Sequence, residues 1–467
     1  MSYINQKLLE FENYLVNRNV AIIGLGVSNC PLIEYLYQKK ARVTVFDEKE
    51  KQEIPEEIIK KINQYSIKYN FGKDCLSKLI DFDLIFRSPS CMPYKEELQK
   101  EVERGAIVTT EIELLLEMCP CKTIGITGSD GKTTTTTLIY EIIKKGGYTC
   151  YLGGNIGIPL FTKLSDIKPE DILILELSSF QLIGMKISTY ISVITNISPN
   201  HLNIHSNYQE YIESKKNIFK YQNKNSILVL NYDNDITKEC AKQANGKVVF
   251  FSSETKLNDG FIVDDNIIKE CNNNLRKHIL NTKDVHLRGV HNYQNICAAL
   301  AATKTLVDEE LAVEAITTFT GVEHRLEFVR EIEGVKWYND SVSSSPSRTI
   351  AGLNSFDEDI VLIAGGYDKN LDYEPLAKPI VDKVTKLILI GPTSKKILDT
   401  VSEELKHQNK KLEIYQCTEF SKVISTAYKV AKKGEIILFS PASTSFDLFK
   451  NFAHRGETFK KLVNDIK

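Results

Sequence analysis

The sequence predicts an α/β protein with three domains, each built on a mainly parallel β-sheet. Short runs of β-branched and aliphatic residues recur along the chain, and helical patterns of about ten to fifteen residues separate many of them. This alternation is typical of βαβ units with helices on both faces of a sheet. The length of 467 residues fits about three domains of ordinary size.

The predicted strands are bounded by Gly, Pro, Asn or Asp, and they are Asn19–Ile23, Arg42–Phe46, Thr123–Thr127, Ile172–Leu177, Ile191–Asn196, Ser226–Asn231, Ile360–Ala364, Lys386–Ile390 and Glu435–Phe439. Helices are predicted near Ser28–Lys40 and over Thr110–Met118. We expect domain boundaries after the second of these helices and just before His324-Arg325, which gives domains at 1–117, 118–321 and 322–467.

Composition excludes several classes of protein. Lys and Arg total 59 and Asp and Glu total 61, so a formal net charge of −2 offers no overall basic field for nucleic acid. No apolar run reaches the length of a membrane span, and the N-terminus lacks the pattern of a signal peptide. We therefore expect a cytoplasmic protein that binds neither nucleic acid nor membrane, and a monomer by default.

The ten cysteines are scattered, and Cys119/Cys121 is the only close pair. A chain of this length can bury a core without disulfides, so we expect free thiols rather than disulfides or a metal site.

A phosphate-binding loop follows the strand Thr123–Thr127. The residues Gly128-Ser129-Asp130-Gly131-Lys132-Thr133 place glycines where backbone N–H groups must face an anion, a lysine that can reach phosphates and a hydroxyl that can hold Mg²⁺. The helix that follows adds partial positive charge. The sequence therefore predicts a central domain of the P-loop ATPase type, in which Thr134–Thr137 mainly pack beneath the loop.

The first domain shows a Rossmann-like layout. Gly24-Leu25-Gly26 follows the first strand, and Asp47 ends the second strand 21 residues after Gly26. The third glycine of the dinucleotide fingerprint is absent, because Asn29 stands there. Three interpretations stay open, namely a uridine diphosphate on the helix N-terminus, an NAD site, and a tight turn without a ligand.

Motifs spaced along the whole chain resemble those of the Mur ligase family, ATP-dependent enzymes of peptidoglycan assembly. The segments that carry the resemblance are Thr127–Thr134, Gly153–Pro159, Leu175–Leu182, His201–His205, Tyr211–Phe219, His291–Asn295, His324-Arg325, Asn339–Ser341, Gly365–Lys369 and Ser440–Gly456. The SSFQ run and the C-terminal run resemble the D-glutamate-adding branch. The resemblance implies a Rossmann-like α/β C-terminal domain.

The resemblance also implies the reaction. UDP-N-acetylmuramoyl-L-alanine would be phosphorylated by ATP to an acyl phosphate, and the amine of D-glutamate would displace the phosphate. The implied cofactors are Mg²⁺ and a lysine carbamylated by CO₂. Two sibling possibilities stay open, another amino-acid ligase such as a folylpolyglutamate synthetase or other Mur enzyme, and a nucleotide-binding protein with degenerate chemistry.

Roles in the central domain follow from the same resemblance. The catalytic residues would be Lys132, Glu176, His201 and Lys215. The metal ligands would be Thr133, Glu176, His201 and Lys215 as its carbamate. ATP would contact Gly128, Ser129, Asp130, Gly131, Lys132, Thr133, Thr134, Asn292, Asn295, Arg325 and Asp340. Lys216 is the rival for the carbamate, and a neighbouring cation such as Lys216 would lower the pKa of Lys215.

The resemblance assigns the other substrates to the outer domains. The UDP-substrate would contact Val27, Ser28, Asp47, Glu48, Ser88 and Asn155, and the amino acid would contact Ser344, Lys369, Ser445, Phe446 and Phe452. Four positions depart from the family pattern: Asp130 replaces Asn, Val342 replaces Lys, Asn200 replaces Asp and Ser90 replaces Gly.

Overall fold

A computed structural model of the chain describes residues 3–199, 205–287, 289–369, 371–445 and 448–466. The chain divides into two compact units. One contains the residues up to Thr282 together with His291–Ile316, and the other contains Lys283–Val290 together with the residues from Thr317 onward.

The first sheet is fully parallel, with the strand order β3-β2-β1-β4-β5. Its strands are β1 Asn19–Ile23, β2 Arg42–Asp47, β3 Lys68–Phe71, β4 Leu84–Arg87 and β5 Ile107–Thr109. Its helices are α1 Gln6–Leu15, α2 Cys30–Gln38, α3 Glu56–Gln64, α4 Glu96–Glu103 and α5 Glu111–Met118. Strand β4 is buried along its whole length, as expected of an inner strand covered on both faces.

The second sheet has nine strands in the order β14-β13-β12-β11-β10-β9-β6-β8-β7. The strands are β6 Lys122–Thr127, β7 Cys150–Gly154, β8 Ile172–Glu176, β9 Ile191–Ile194, β10 Ile227–Asn231, β11 Lys247–Ser252, β12 Gly260–Asp264, β13 Ile267–Asn272 and β14 Leu275–Asn281. The helices are α6 Lys132–Lys145, α7 Ser179–Leu182, α8 Tyr208–Lys220, α9 Asp235–Cys240, α10 Val290–Thr303 and α11 Glu309–Thr318. Strands β6 to β11 are parallel to their neighbours, which brings their carboxyl ends to one edge.

The third sheet has the order β15-β16-β20-β17-β18-β19 and is parallel except for β15. Its strands are β15 Glu327–Ile332, β16 Val335–Asn339, β17 Ile360–Ala364, β18 Val384–Ile390, β19 Glu413–Cys417 and β20 Ile436–Phe439. Its helices are α12 Pro346–Leu353, α13 Glu374–Lys383, α14 Ser394–Gln408, α15 Phe420–Val430 and α16 Phe452–Asn464. Two apolar clusters, one on each face, form its core.

Each predicted strand is present, with ends that shift by at most two residues, and the predicted helices correspond to α2 and α5. The expectation of parallel pairing misses the antiparallel hairpins of β12–β14 and the hairpin of β15 and β16. Their turns use residues with positive φ, which match the right-handed twist of a tight hairpin. These turn residues are Asp265, Asn266, Asn273, Asn274, Glu333 and Gly334.

Aromatic packing joins the first two sheets. Phe161, which is fully buried and lies between β7 and β8, makes edge contacts with Phe11, Tyr35 and Phe86 at ring-centroid distances of 5.9, 5.5 and 6.2 Å. The buried carboxylate of Glu111 accepts a hydrogen bond of 3.0 Å from the Phe161 N–H. The first and second sheets therefore share one core within their unit.

The segment Lys283–Val290 packs with the C-terminal unit, where His286 stacks on Phe328 at 5.8 Å. The predicted boundary between 321 and 322 places this segment in the central domain, and the three proposed domain ranges stay predictions. No helix in the described part of the chain has the length and apolar character that a membrane span requires.

Candidate active site

The phosphate loop connects the end of β6 to the start of α6 and needs glycine at two positions. Gly128 and Gly131 have φ angles of 151° and 77°. A Cβ on Gly128 would lie 1.9 Å from Thr195 Oγ1, and a Cβ on Gly131 would lie 2.4 Å from Asn295 Oδ1. Any side chain at either position would therefore strain the backbone and collide with the residues behind the loop.

Neighbouring side chains fix the loop from the end of β9. Asn196 Oδ1 accepts a 2.9 Å hydrogen bond from the Asp130 N–H, and Thr195 Oγ1 donates to the Asp130 carbonyl at 2.5 Å. Ser129 is buried and its Oγ lies 2.9 Å from both the Ser198 carbonyl and the Tyr211 hydroxyl. Asp130, which stands where the family pattern has Asn, is exposed.

The first turn of α6 carries the remaining loop residues. Lys132 Nζ turns back and donates to the carbonyls of Gly128 and Ser129, both at 2.9 Å. Thr133 is half-buried, whereas Thr134, Thr135 and Thr136 are buried. The threonine run therefore packs beneath the loop in large part, as expected from the sequence.

Lys215 is a fully buried lysine of α8 that reaches the same loop. Its Nζ donates to the Gly128 carbonyl at 2.8 Å and to Thr127 Oγ1 at 3.3 Å, and lies 4.7 Å from the centre of the Tyr211 ring. Burial, and then the nearby charge of Lys132, lower the pKa of Lys215 well below its ordinary value. Both effects favour the neutral form of the amine.

The structure corrects one expectation about this lysine. Lys216 was expected to be the cation that lowers the pKa of Lys215, but the cation near Lys215 is Lys132. Lys216 pairs with Glu213 at 2.8 Å instead, because consecutive residues of a helix point in different directions. Tyr211 and Phe219 share the buried face of Lys215, as the helical spacing predicts.

Glu176 ends β8 next to the strand that leads into the loop. Its side chain is 1% exposed, and its Oε1 accepts a 2.7 Å hydrogen bond from Asn155 Nδ2. Its Oε2 is buried and has no hydrogen-bond partner. A buried carboxylate oxygen without a partner is costly, so this atom is suited to a cation. Asn155, predicted to contact the UDP-substrate, therefore lies against Glu176.

The segment after β8 supplies an aromatic stack that sequence reasoning did not assign. His205 Nε2 lies 2.9 Å from Ser179 Oγ, and its ring stacks on Phe180 and contacts Tyr211 edge-on. Burial lowers the pKa of His205. The sequence feature that could have identified His205 is its place in the HLNIH motif. His201, the predicted metal ligand of that motif, lies outside the described residues, as does Asn200.

The two asparagines of α10 meet behind the loop. Asn295 Oδ1 accepts from Thr135 Oγ1 at 3.2 Å, and Asn295 Nδ2 donates to Asn292 Oδ1 at 3.1 Å. Both residues are buried. The structure therefore brings Asn292 and Asn295 together with Gly131 and the first turns of α6.

The predicted UDP-substrate residues of the first sheet lie at the carboxyl ends of β1, β2 and β4. Asp47 Oδ2 accepts from the Leu25 N–H at 2.7 Å, and Ser88 is buried close under Gly24, where a Cβ would lie 2.6 Å from Ser88 Oγ. Val27 is 78% exposed. Ser28 is half-buried, and Glu48 is exposed and pairs with Lys95 at 2.7 Å.

Asn29 replaces the third glycine and closes the turn itself. Its Nδ2 donates to the carbonyls of Ile23 and Gly24 at 3.0 and 3.1 Å, and the residue is 1% exposed. Beyond this turn, buried Arg87 donates to the carbonyls of Cys91 and Ile183, so it links the first domain to the segment after α7.

The C-terminal unit places Asp340 and Ser344 after β16, Lys369 after β17 and Ser445 after β20, whereas Arg325 precedes β15 and Phe452 begins α16. Asp340 is buried, and its carboxylate accepts from Ser440 Oγ at 2.6 Å and from the Leu326 N–H at 3.3 Å. Burial raises the pKa of Asp340 to about 6. Arg325 is half-buried and electrostatically close to Asp340. Ser344 lies in the turn after Asp340 and is half-buried.

The predicted amino-acid contacts differ in exposure. Lys369 is exposed beyond β17, Ser445 is 2% exposed beyond β20, and Phe452 is 44% exposed at the start of α16. The Phe452 ring lies 6.1 Å from that of His324. Phe446 lies outside the described residues.

Arg455 is a residue that sequence reasoning missed. It is 2% exposed, and its guanidinium donates to Ser341 Oγ, to the Ser341 carbonyl and to the Ser443 carbonyl at 3.1, 2.8 and 3.0 Å. It therefore ties the loop after β16 to the loop after β20. The signal for it was its place in the C-terminal motif.

Comparisons with known proteins agree with this architecture. Three family models match in succession: Mur ligase MurD-like, N-terminal domain, over residues 18–110, Mur ligase middle domain over 126–303, and Mur ligase, glutamate ligase domain, over 324–443. A solved UDP-N-acetylmuramate-alanine ligase from Thermotoga maritima aligns with a TM-score of 0.56 at 17% identity, covering 97% of this chain and 100% of that one. That likeness shows the fold.

Curated relatives are similar over nearly the full length. The UDP-N-acetylmuramoylalanine–D-glutamate ligase of Acetivibrio thermocellus is 46% identical over 466 residues, which cover 99% of this chain and 100% of the relative. The enzyme of the same name from Ruminiclostridium cellulolyticum is 45% identical with the same coverage. The sequence, the three sheets and the phosphate loop with its buried lysine and glutamate thus agree, and the chain belongs to the Mur ligase family.

Proposed function

We propose that the chain joins D-glutamate to UDP-N-acetylmuramoyl-L-alanine at the expense of ATP, in the cytoplasm, as a step of peptidoglycan precursor synthesis. The observation that carries this proposal is the 44–46% identity, over nearly the full chain, to relatives that bear this enzyme's name. The phosphate loop, with Lys132, Lys215 and Glu176 around it, supports the same chemistry.

The reaction has two steps. The carboxylate of UDP-N-acetylmuramoyl-L-alanine attacks the γ-phosphorus of ATP, which releases ADP and leaves an acyl phosphate. The amine of D-glutamate then attacks the acyl carbon, loses a proton and expels inorganic phosphate. Both the first nucleophile and the triphosphate are anions, so the protein must cancel their repulsion and hold them in line.

The phosphate loop and its lysines suit the triphosphate. The N–H groups at the start of α6 offer donors, and Lys132 is a flexible cation already at the loop. We assign Asn292 and Asn295 to the adenine end of ATP, and Arg325 and Asp340 to the phosphates and ribose. In the structure Asp340 is buried and hydrogen-bonded, so contact with ribose requires a rearrangement of its loop.

The residues present fit a Mg²⁺ ion. The buried Oε2 of Glu176 has no hydrogen-bond partner, and the Thr133 hydroxyl starts the helix after the loop. We propose that Glu176 and Thr133, with His201, hold the ion. When bound, Mg²⁺ supplies positive charge that stabilises the phosphates as charge shifts to the leaving oxygen.

Lys215 is suited to carbamylation. An amine must be neutral to attack CO₂, and burial together with Lys132 lowers the pKa of Lys215. Its neutral nitrogen would form a bond to the carbon of CO₂ and release one proton, which leaves an anionic carbamate near Glu176 and Lys132. We propose Lys215 rather than Lys216, because Lys216 pairs with Glu213 on the other side of α8.

The outer domains would take the other two substrates. We propose that the turn at Val27 and Ser28, with Asp47, Glu48 and Ser88, binds the uridine nucleotide, and that Asn155 lies toward the reacting end of that substrate. D-Glutamate would bind through Lys369 and Ser445, with Ser344, Phe446 and Phe452 around it.

The test measures phosphate release and product mass with the full-length chain. Phosphate release should require ATP, UDP-N-acetylmuramoyl-L-alanine and D-glutamate together, and L-glutamate should give no product. Lys132→Ala should abolish turnover, whereas Lys145→Ala, at the far end of the same helix, should leave it near wild type. Turnover with another amino acid or a folate substrate, or ATP binding without any product, would contradict the proposal.

A further inference from the structure

The segment between the first two sheets carries a pair of thiols. Cys119 and Cys121 flank Pro120 between the end of α5 and the start of β6, and their Sγ atoms are 3.4 Å apart. Both side chains are half-buried, so small molecules can reach them. No other two cysteines share a hydrogen bond in the part of the chain that the structure describes.

We propose that Cys119 and Cys121 form a redox-sensitive dithiol, which small-molecule disulfides convert to an intramolecular disulfide. A disulfide bond is about 2.05 Å long, so the two sulfur atoms need to approach by little more than 1 Å. Pro120 fixes its own φ angle and keeps the two cysteines close along the chain. Disulfides inside cells are usually transient and redox-sensing, and a partly exposed pair fits that use.

The two thiols have different roles in the exchange. A hydrogen bond from Cys121 stabilises the thiolate of Cys119 and lowers its pKa, whereas the same hydrogen bond and burial raise the pKa of Cys121. The thiolate is the nucleophile, so Cys119 attacks first.

The exchange balances in two displacements. The Cys119 thiolate bonds to one sulfur of the small disulfide and expels the other half as a thiolate. Cys121 then gives its proton to the expelled thiolate, bonds to Cys119 Sγ and expels the second half. The second expelled thiolate takes up the proton that Cys119 released when it ionised. In total the protein loses two protons and two electrons, and the small disulfide becomes two thiols.

The pair lies away from the phosphate loop. It adjoins Lys122 at the start of β6, and the loop follows Thr127 at the other end, roughly 17–20 Å along the strand. The dithiol therefore does not depend on the proposed ligase activity, and its test can fail or succeed separately.

The experiment exposes the reduced full-length chain to glutathione disulfide at several ratios to glutathione. The chain is then unfolded in denaturant with iodoacetamide, which blocks the remaining thiols, and the masses of the tryptic peptides are measured. Cleavage after Arg104 and Lys122 gives one peptide with both cysteines. The mass of this peptide should be lower by two hydrogens, and neither of its cysteines should be alkylated. Dithiothreitol should restore both thiols. The other eight of the ten cysteines should be alkylated.

Two serine variants separate the roles. Cys121→Ser should trap glutathione on Cys119 at least several-fold faster than Cys119→Ser traps it on Cys121. Cys150→Ser is the matched control, because Cys150 is also half-buried in the second sheet and burial raises its pKa to about 11. In Cys150→Ser, the disulfide between Cys119 and Cys121 should form as it does in the wild type.

Two results would overturn the proposal. One is that Cys119 and Cys121 both stay alkylatable at every glutathione ratio, and the other is that glutathione adducts accumulate on the wild type without ring closure. Both results come from the wild-type chain, so they stay decisive even if a serine variant fails to fold. Equal trapping rates in the two serine variants would contradict the assignment of Cys119 as the attacking thiol.

Discussion

The phosphate loop of the central domain and the loops of the C-terminal unit use buried charge in opposite ways. At the phosphate loop the candidate reactive groups, Lys215 and Glu176, are themselves buried and contact the loop or its neighbours. In the C-terminal unit Lys369 and Phe452 are exposed, and a buried cation, Arg455, holds the loops. The difference indicates that the groups proposed for the chemistry are held in place by the fold, whereas the proposed amino-acid contacts are exposed beside a frame of loops that Arg455 ties together.

The largest effect is expected at Lys215. Lys215→Ala removes the buried amine at the Gly128 carbonyl and should lower kcat by about 10²- to 10³-fold or more. Lys216→Ala is the matched control on the next residue of α8 and should stay near wild type, since the Lys216 ammonium pairs with Glu213. Steady-state kinetics on both variants measure this. Equal losses of kcat in the two variants would show that the reaction does not depend on Lys215 in particular.

Arg455 tests the frame of the C-terminal unit. Arg455→Ala removes charged hydrogen bonds to Ser341 and Ser443 and should cost about 3 kcal/mol of unfolding free energy. If the frame positions the amino-acid contacts, KM for glutamate should rise more than KM for ATP. Arg455→Lys should recover part of the stability. Denaturant unfolding and kinetics check both effects, and a rise confined to KM for ATP would contradict the positioning role.

Glu111 sharpens the comparison because it is buried but lies away from the loop. Burial raises its pKa from 4.5 to about 7. The folded state therefore holds the proton more tightly than the unfolded state, and stability should fall as pH rises from about 4.5 to 7. Glu111→Gln keeps an acceptor for the Phe161 N–H and removes this dependence, so at pH 8 it should be more stable than wild type by up to about 3 kcal/mol.

The measurement for Glu111 is unfolding at pH 5 and at pH 8 in parallel. The stability difference between Glu111→Gln and wild type should shrink at pH 5, and kcat should be unaffected at pH 8. A constant difference across this range would show that the carboxyl group does not titrate there.

The smallest effect is expected at Phe452. Phe452→Ala should change the unfolding free energy by about 0.5 kcal/mol or less, because the side chain is 44% exposed. KM for glutamate should rise, but by less than in Arg455→Ala. A loss of unfolding free energy as large as that of Arg455→Ala would show that Phe452, like Arg455, stabilises the fold.

Local patterns in the sequence predicted much of this architecture. Continuous apolar runs such as Ile360–Ala364 identify inner parallel strands, because strands buried on both faces need no polar alternation. The antiparallel hairpins were missed, although Asn273-Asn274 is a turn signal, because their strands carry many polar residues and one edge faces solvent.

The candidate site was predictable in part. The glycine, lysine and threonine of the phosphate loop have a fixed local spacing, so sequence alone places them. The contact between Lys215 and the Gly128 carbonyl joins residues 87 positions apart, and only the folded chain shows it. Arg455 could not be assigned because its role depends on two loops that converge in space and not in sequence.

The contacts of Phe161 couple the folding of the two sheets in the first unit. Rings from α1, α2 and β4 surround a side chain supplied by the next domain, so a fragment that ends before β6 would leave Phe11, Tyr35 and Phe86 facing water. We therefore expect the first and second sheets, which share this core, to unfold together.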